Sequence, residues 1–287
     1  MRLYIVRHGE TAWNRIRRLQ GHSDIPLNEN GIKLAEETGK GLSDVPFDLC
    51  IAGPLIRTRQ TALCVLRENH AFLEKRDQAG KTEITDFLSI EALQKEVQRS
   101  RREISGETNA KQLPKQQEAG LDQTTLEDWT RKACFFGFPL LTDPRIIEVD
   151  FGPWDGLGCG LNNMEVPEES FRNFFKDPKL VNWPKGTERV ESVKARTADF
   201  LQWLCKEPAF SDKNILIASH GFAIRAMLNP FYENPEDFWQ GHPPYNCAVN
   251  VLETDGAGRL QLTVRDRLFY DECLAPSYTD VRTRAGS

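Results

Sequence analysis

The chain has 287 residues, of which 39% are hydrophobic and 28% charged, so it can bury a core as one large domain or two small ones. Its net charge of −5 excludes a general electrostatic attraction to nucleic acid, and no apolar stretch is long enough to span a bilayer. Seven scattered cysteines without a C-x-x-C pair favour a reducing compartment. Candidate functional residues begin at position 7, which leaves no room for a cleavable signal, so we expect a cytoplasmic protein.

The N-terminus predicts a buried strand that ends in a tight turn. Residues 3–6 form a short apolar run, and Arg7-His8-Gly9 follows it directly. Gly9 permits a sharp change of direction, and Thr11 can cap the helix that comes next. This order places a cation, an imidazole and free backbone N–H groups at one strand end. Open α/β sheets bind ligands there, and a helix N-terminus favours an anion.

The string Arg-His-Gly-Glu-Thr at 7–11, with Trp13-Asn14 after it, resembles the histidine phosphatase superfamily, which is also called phosphoglycerate mutase-like. Residues 20–31 resemble the Gln-Gly…Asp-x-Pro-Leu-x-x-x-Gly stretch of that family, and Asn28 is expected to cap a helix over 29–42. The resemblance implies that Asn14, Gln20 and Gly21 contribute to a phosphate pocket. The two amide side chains could donate hydrogen bonds to phosphate oxygens without adding charge.

A second strand is predicted over 47–51, and residues 52–62 then resemble the family's Ser-Pro-Leu-x-Arg-x-x-Gln-Thr-Ala element at the start of a helix. The resemblance implies that Arg57 is the second guanidinium of the phosphate pocket, after Arg7. Arginine suits this role because it stays charged and its planar donors match phosphate oxygens. Arg59 is two residues from Arg57, so the two side chains cannot share one helix face.

Residues 67–145 form a longer stretch than the compact family pattern has between the flanking motifs, and they predict a helical insertion. Apolar spacing predicts an amphipathic helix over 86–104, residues 105–125 are polar and glutamine-rich, and 126–136 has a helical pattern again. We expect this insertion to form a cap that selects substrates. The alternative is a surface insertion without a role at the active site.

Residues 146–156 resemble the family's Leu-x-Glu-x-x-x-Gly-x-Trp-Glu-Gly segment, in which the position matching Glu148 is the proton donor. Asp150 is the rival carboxylate. A helix is predicted over 190–206. The strand predicted over 214–219 then leads to His220-Gly221, and this stretch resembles the family's Ser-His-Gly-x-x-Ile-Arg motif. His220 is therefore expected to be the second histidine, beside Gly221, and further strands are predicted over 246–252 and 260–264.

Taken together, the resemblance implies a single α/β domain over 1–287, a three-layer α/β/α sandwich with a mainly parallel sheet. It implies a phosphatase in which His8 becomes phosphohistidine, Glu148 donates a proton, and Arg7, Arg57 and His220 neutralise phosphate charge. We expect hydrolysis of a small phosphate monoester, of the metal-independent histidine acid phosphatase type, without a cofactor. The alternatives are mutase-type phosphoryl transfer and a non-catalytic binding module. The residues leave the oligomeric state open.

Overall fold

The computed structural model describes residues 1–78, 140–160, 162–255 and 257–274. Within these ranges six strands form a sheet in the order β3-β2-β4-β1-β5-β6. The four strands from β3 to β1 are parallel, whereas β5 and β6 are antiparallel to their neighbours. The expected mainly parallel sheet is therefore confirmed. The strands are β1 Arg2–Arg7, β2 Leu49–Ala52, β3 Leu140–Thr142, β4 Asn214–Ser219, β5 Val249–Thr254 and β6 Leu260–Arg267.

Helices cover both faces of the sheet, because side chains of a buried strand alternate between the two faces. Leu3 and Ile5 share a buried cluster with residues of α6 and α7, while Tyr4 and Val6 share another with residues of α3 and α4. This two-sided burial makes the sandwich. The helices are α1 Ala12–Arg15, α2 Glu29–Gly41, α3 Ile56–Arg67, α4 His70–Gln78, α5 Glu168–Lys176, α6 Val190–Lys206 and α7 Gly221–Leu228.

Local capping sets the starts of the first two helices, as the sequence predicts. The Thr11 hydroxyl accepts the backbone N–H of Asn14 at 3.1 Å, and the Asn14 side chain accepts the backbone N–H of Thr11 at 3.1 Å. The Asn28 side chain accepts the N–H of Gly31 at 2.8 Å. These bonds satisfy backbone donors that a helix leaves unpaired, and they hold the chain where it leaves β1.

The strand predicted over 246–252 begins only at Val249. Cys247 has φ of 57°, in the left-handed region that a strand cannot contain, and its N–H donates to the Arg7 carbonyl at 3.0 Å. The Asn246 side chain donates to the His8 carbonyl at 2.9 Å. The first residues of the predicted strand instead form a turn that supports the Arg7–His8 backbone.

Both described ends of the range 67–145 pack onto the sheet. Phe72 of α4 is buried in the core, and β3 pairs with β2 in parallel. The predicted helix, loop and helix between 86 and 136 lie outside the described residues, so the cap over 67–145 stays a prediction. In the part of the chain that is described, no helix is long and apolar enough to cross a membrane.

A buried ion pair anchors the segment that leads from β3 toward residue 148. The Arg145 side chain is 2% exposed, and its Nη2 lies 2.7 Å from the carboxylate of Asp143, which is fully buried. A second carboxylate, that of Asp199, lies 2.8 Å from Nη1 but is 51% exposed. The guanidinium therefore depends mainly on Asp143 for its charge compensation.

We expect Asp143→Ala to lower the free energy of unfolding by about 3 kcal/mol, since it leaves a buried guanidinium without its main partner. Asp199→Ala should cost less than about 1 kcal/mol, because that carboxylate is largely in water. Urea unfolding of both variants measures the difference. Equal losses of unfolding free energy in the two variants would show that the buried pair contributes no more stability than the exposed one.

Candidate active site

The parallel register brings the two predicted histidines together. Arg7 at the end of β1 lies opposite Ser219 at the end of β4, so His8 and His220 both follow at the same edge of the sheet. The backbone N–H of His8 donates to the Ser219 carbonyl at 2.9 Å. The imidazole centroids are 5.3 Å apart, and the rings are inclined by 60°. Residues 212 positions apart in the chain thus share one site.

His8 is buried in a setting that keeps its imidazole neutral. Burial, and then the positive charges of Arg57 and Arg7, hold the pKa of His8 well below its usual value. Its Nδ1 lies 2.8 Å from the Gly9 carbonyl oxygen. A carbonyl can only accept, so Nδ1 carries the proton and the lone pair lies on Nε2. This tautomer leaves the Nε2 lone pair available to attack an electrophile.

His220 is fully buried, and neither of its ring nitrogens has a hydrogen-bond partner among the described residues. Burial and the charge of Arg57 hold the pKa of His220 well below its usual value. A Cβ on Gly53 would lie 3.0 Å from Nε2, so the glycine at the end of β2 gives the ring its space. Buried polar atoms are rarely left unpaired, which makes an imidazole without a protein partner a candidate for ligand binding.

Two guanidinium groups accompany the histidines. Arg57 is fully buried, and its Nη1 and Nη2 donate to the carbonyls of Ser23 at 2.7 Å and Gly21 at 2.9 Å. Burial lowers the pKa of Arg57 to about 10, so it remains cationic at neutral pH. Arg7 donates to the Pro244 carbonyl. A Cβ on Gly221 would lie 3.3 Å from the Arg7 Nε, so Gly221 lets this guanidinium approach the start of α7.

Glu148 lies at the N-terminus of α7. Its Oε1 accepts the N–H groups of Ala223 at 3.0 Å and Val149 at 3.1 Å, and its Oε2 accepts that of Phe222 at 3.3 Å. Burial nevertheless raises the pKa of Glu148, although Arg57 and these backbone donors act in the opposite direction. The rival Asp150 instead accepts the Gly152 N–H at 2.7 Å. The structure therefore brings Glu148 to the buried site and leaves Asp150 partly exposed.

The predicted phosphate-binding amides differ in what they offer. The Gln20 Oε1 accepts from the Thr11 hydroxyl at 2.7 Å, while its buried Nε2 has no partner among the described residues. Asn14 uses its oxygen in the cap of α1. The Gly21 N–H donates to the Asp155 carboxylate at 2.8 Å, and the Gly21 carbonyl accepts a hydrogen bond from Arg57. Gly21 thus positions Arg57 through its backbone, whereas Gln20 has a donor left for a ligand.

A cavity of about 120 Å³ opens onto this group. Its polar wall contains Arg7, His8, Asn14, Arg17, Arg18, Gln20 and Glu148, with Gly221 beside them. Arg57, His220 and Gly21 are not among the lining residues. The remaining wall is mainly aromatic, a feature that the sequence analysis did not anticipate. The signal was available, since α5 carries three phenylalanines at 171, 174 and 175, on one side of a helix.

Sequence reasoning also missed the residues that hold the segment around Glu148. Arg196 of α6 donates to the carbonyls of Arg145 at 2.8 Å, Ile147 at 2.7 Å and Glu148 at 3.1 Å. Its Nε and Nη2 lie 2.9 and 3.0 Å from the Glu188 carboxylate. One guanidinium thus holds three backbone carbonyls of the short segment 145–148 against α6. The i,i+8 spacing of Glu188 and Arg196 across a helix start gives no local signal for this contact.

For the phosphatase activity that the motifs imply, we expect Arg196→Ala to lower kcat by up to about 10²-fold with an alkyl phosphate, because the Glu148 carboxyl loses its fixed position. The loss should be smaller for 4-nitrophenyl phosphate, whose leaving group needs less protonation. Arg259→Ala, at an exposed arginine of the β5–β6 turn, is the matched control. An equal loss with both esters would mean that Arg196 acts only through general stability.

A model of the histidine phosphatase superfamily, branch 1, matches residues 3–133 and 123–267. The chain belongs to this superfamily. Phosphoserine phosphatase 1 of Hydrogenobacter thermophilus is 25% identical over 227 residues, which are 79% of this chain and 74% of that protein. 2,3-Bisphosphoglycerate-dependent phosphoglycerate mutase 1 of Arabidopsis thaliana is 24% identical over 233 residues, 79% of this chain. The match spans only 56% of the length of that plant mutase.

Solved structures show the same fold. YhfR of Bacillus stearothermophilus aligns with a TM-score of 0.61 at 22% identity, over 93% of this chain and 97% of that one. Phosphoserine phosphatase of Entamoeba histolytica, solved with 3-phosphoglyceric acid, aligns with a TM-score of 0.57 at 20% identity, over 93% and 96%. The similar proteins include both phosphatases and mutases, and the solved structures named here share the chain's architecture.

Proposed function

We propose that the protein is a phosphatase that hydrolyses a small phosphate monoester through a phosphohistidine on His8. The observation that carries this proposal is the pairing of two buried imidazoles, with centroids 5.3 Å apart, with two arginines and a carboxyl of raised pKa at one sheet edge. Burying several ionisable side chains together lowers the stability of a fold. Such clusters with shifted pKa values are therefore typical of catalytic sites.

In the first step the Nε2 lone pair of His8 attacks phosphorus in line with the ester oxygen. An N–P bond forms and the P–O bond to the alcohol breaks, while Glu148 gives its proton to the departing oxygen. The lowered pKa of His8 keeps the nucleophile unprotonated at neutral pH. The Gly9 carbonyl holds the Nδ1 proton, and it stabilises the positive charge that the ring acquires on phosphorylation.

In the second step Glu148, now a carboxylate, takes a proton from water as the water oxygen attacks phosphorus. The P–N bond breaks, and the electron pair returns to His8 Nε2. Arg7 and Arg57 offset the charge on the non-bridging oxygens, and they do so best in the transition state, where that charge is spread outward. The buried Nε2–H₂ group of Gln20 and the His220 ring supply further contacts.

A mutase is the second candidate, because a relative matched over 79% of the chain is named a phosphoglycerate mutase. A mutase would pass the phosphoryl group from His8 to a second hydroxyl instead of to water. The competing outcomes differ in product. Phosphorus NMR of the reaction mixture distinguishes inorganic phosphate from an isomerised ester.

The decisive test is a screen of purified protein against a library of phosphate esters at pH 5 to 8. We expect release of inorganic phosphate, inhibition by vanadate, and no loss of rate with EDTA, because side-chain cations perform the charge neutralisation. Isomerised esters without free phosphate would favour the mutase. Silence over the whole library, together with no vanadate binding, would favour a binding module.

A further inference from the structure

We propose that the alcohol part of the substrate is apolar, an aryl or alkyl group. This inference rests on the phosphatase function proposed above. It concerns the part of the cavity that the phosphoryl chemistry does not use. Its basis is an aromatic wall, which we define as Phe171, Phe174, Phe175, Phe222 and Trp239.

The aromatic wall begins at the proton donor. The backbone N–H of Phe222 donates to the Glu148 carboxylate at 3.3 Å. Phe222 therefore both helps to hold the acid in place and contributes a ring to the wall. Glu148 must face the leaving oxygen to protonate it. The group that departs with that oxygen therefore lies on the Phe222 side of the cavity.

The rings of the wall support one another. Phe174 stacks on Phe222 with centroids 5.9 Å apart, and it lies 5.0 Å from Trp239 and 4.9 Å from Phe175. Phe171 packs edge-on against Phe175 at 5.0 Å. Contacts at these distances fix the ring orientations. The surface offered to a leaving group is therefore preformed rather than dependent on closure.

The wall offers little hydrogen bonding. The indole N–H of Trp239 donates to the Phe174 carbonyl at 2.6 Å, so this side chain presents its ring and not its polar atom. Two arginines, Arg17 and Arg18, also line the cavity, and Arg18 lies 3.0 Å from the Glu165 carboxylate. They lie outside the aromatic wall, so an apolar group that packs on the wall gains free energy from its burial.

Primary alkyl phosphates test this inference cleanly, because their alcohols differ little in acidity and chain length changes only the contacts. We expect kcat/KM for hexyl and 2-phenylethyl phosphate to exceed that for ethyl phosphate by on the order of tenfold or more. The half-buried Phe175 is the variant of choice, and Phe175→Ala should reduce the hexyl-to-ethyl ratio.

Phe231→Ala is the matched control, since Phe231 is also half-buried but packs against the core and does not line the cavity. It should leave the hexyl-to-ethyl ratio unchanged. Equal rates for ethyl and hexyl phosphate would overturn the inference and leave the phosphatase intact. If no ester is hydrolysed, calorimetry can compare the binding affinities of hexylphosphonate and methylphosphonate, which does not require turnover. Equal affinities for the two phosphonates would also overturn the inference.

Discussion

Replacing His8 by alanine should abolish turnover, with a fall in kcat on the order of 10⁴-fold or more. The proposed N–P bond forms on Nε2 of His8, which among the described histidines is the one that lines the cavity. Rapid quenching with labelled substrate should trap phosphate on the wild-type protein and none on the variant. The trapped bond should be stable to alkali and labile to acid, as expected for a phosphoramidate.

The matched control is His70→Ala, because His70 is exposed at the start of α4, away from the site. It should keep both turnover and labelling. His220→Ala separates the roles of the two imidazoles: we expect weaker phosphate binding and slower turnover but continued labelling. Labelling that survives in His8→Ala and disappears in His220→Ala would reverse the assignment of the nucleophile.

Glu148→Gln should slow hydrolysis of alkyl phosphates by about 10²- to 10⁴-fold and that of 4-nitrophenyl phosphate far less. An alkoxide is a poor leaving group and needs the proton, whereas nitrophenolate departs without it. Burial raises the pKa of Glu148, so its carboxyl stays protonated to a higher pH than an ordinary glutamate. The alkyl-to-nitrophenyl rate ratio should therefore fall as the pH rises through that pKa.

The glutamine variant should lack the part of this pH dependence that comes from Glu148, since an amide does not ionise in this range. The phosphate groups of the two substrates ionise at different pH, and dividing the wild-type ratio by the variant ratio at each pH removes that difference. Asp150→Asn is the control carboxylate, because its oxygen caps the Gly152 N–H instead of meeting α7. A leaving-group effect in Asp150→Asn and none in Glu148→Gln would mean that the wrong carboxyl was chosen.

Short-range signals in the sequence predicted the fold well. The runs at 3–6 and 214–219 became β1 and β4, and the helix predicted over 190–206 has those bounds. The caps at Thr11 and Asn28 are also confirmed. Each of these features is decided within a few residues, by apolar periodicity or by one side chain that satisfies nearby backbone donors.

Convergence of the site could be expected from sequence only because several separate motifs each ended a strand. The motifs imply that His8, Arg57 and His220 meet, and the parallel register explains why they lie at one edge. The motifs do not give the balance of burial and charge. That balance, which sets the protonation of His8 and Glu148, depends on how much water the packed chain excludes.

The sequence by itself determined the strand-turn-helix units and the residue types at their ends, because those depend on neighbours in the chain. Only the tertiary structure decided that the Glu148 carboxylate, and not that of Asp150, accepts from the N-terminus of α7. It also decided that Arg196 donates to the Glu148 carbonyl and that the aromatic wall lines the same cavity as Glu148. These contacts join residues that are 48 to 75 positions apart, or that lie on separate helices. Local periodicity says which side of a helix is buried, and only packing says against what.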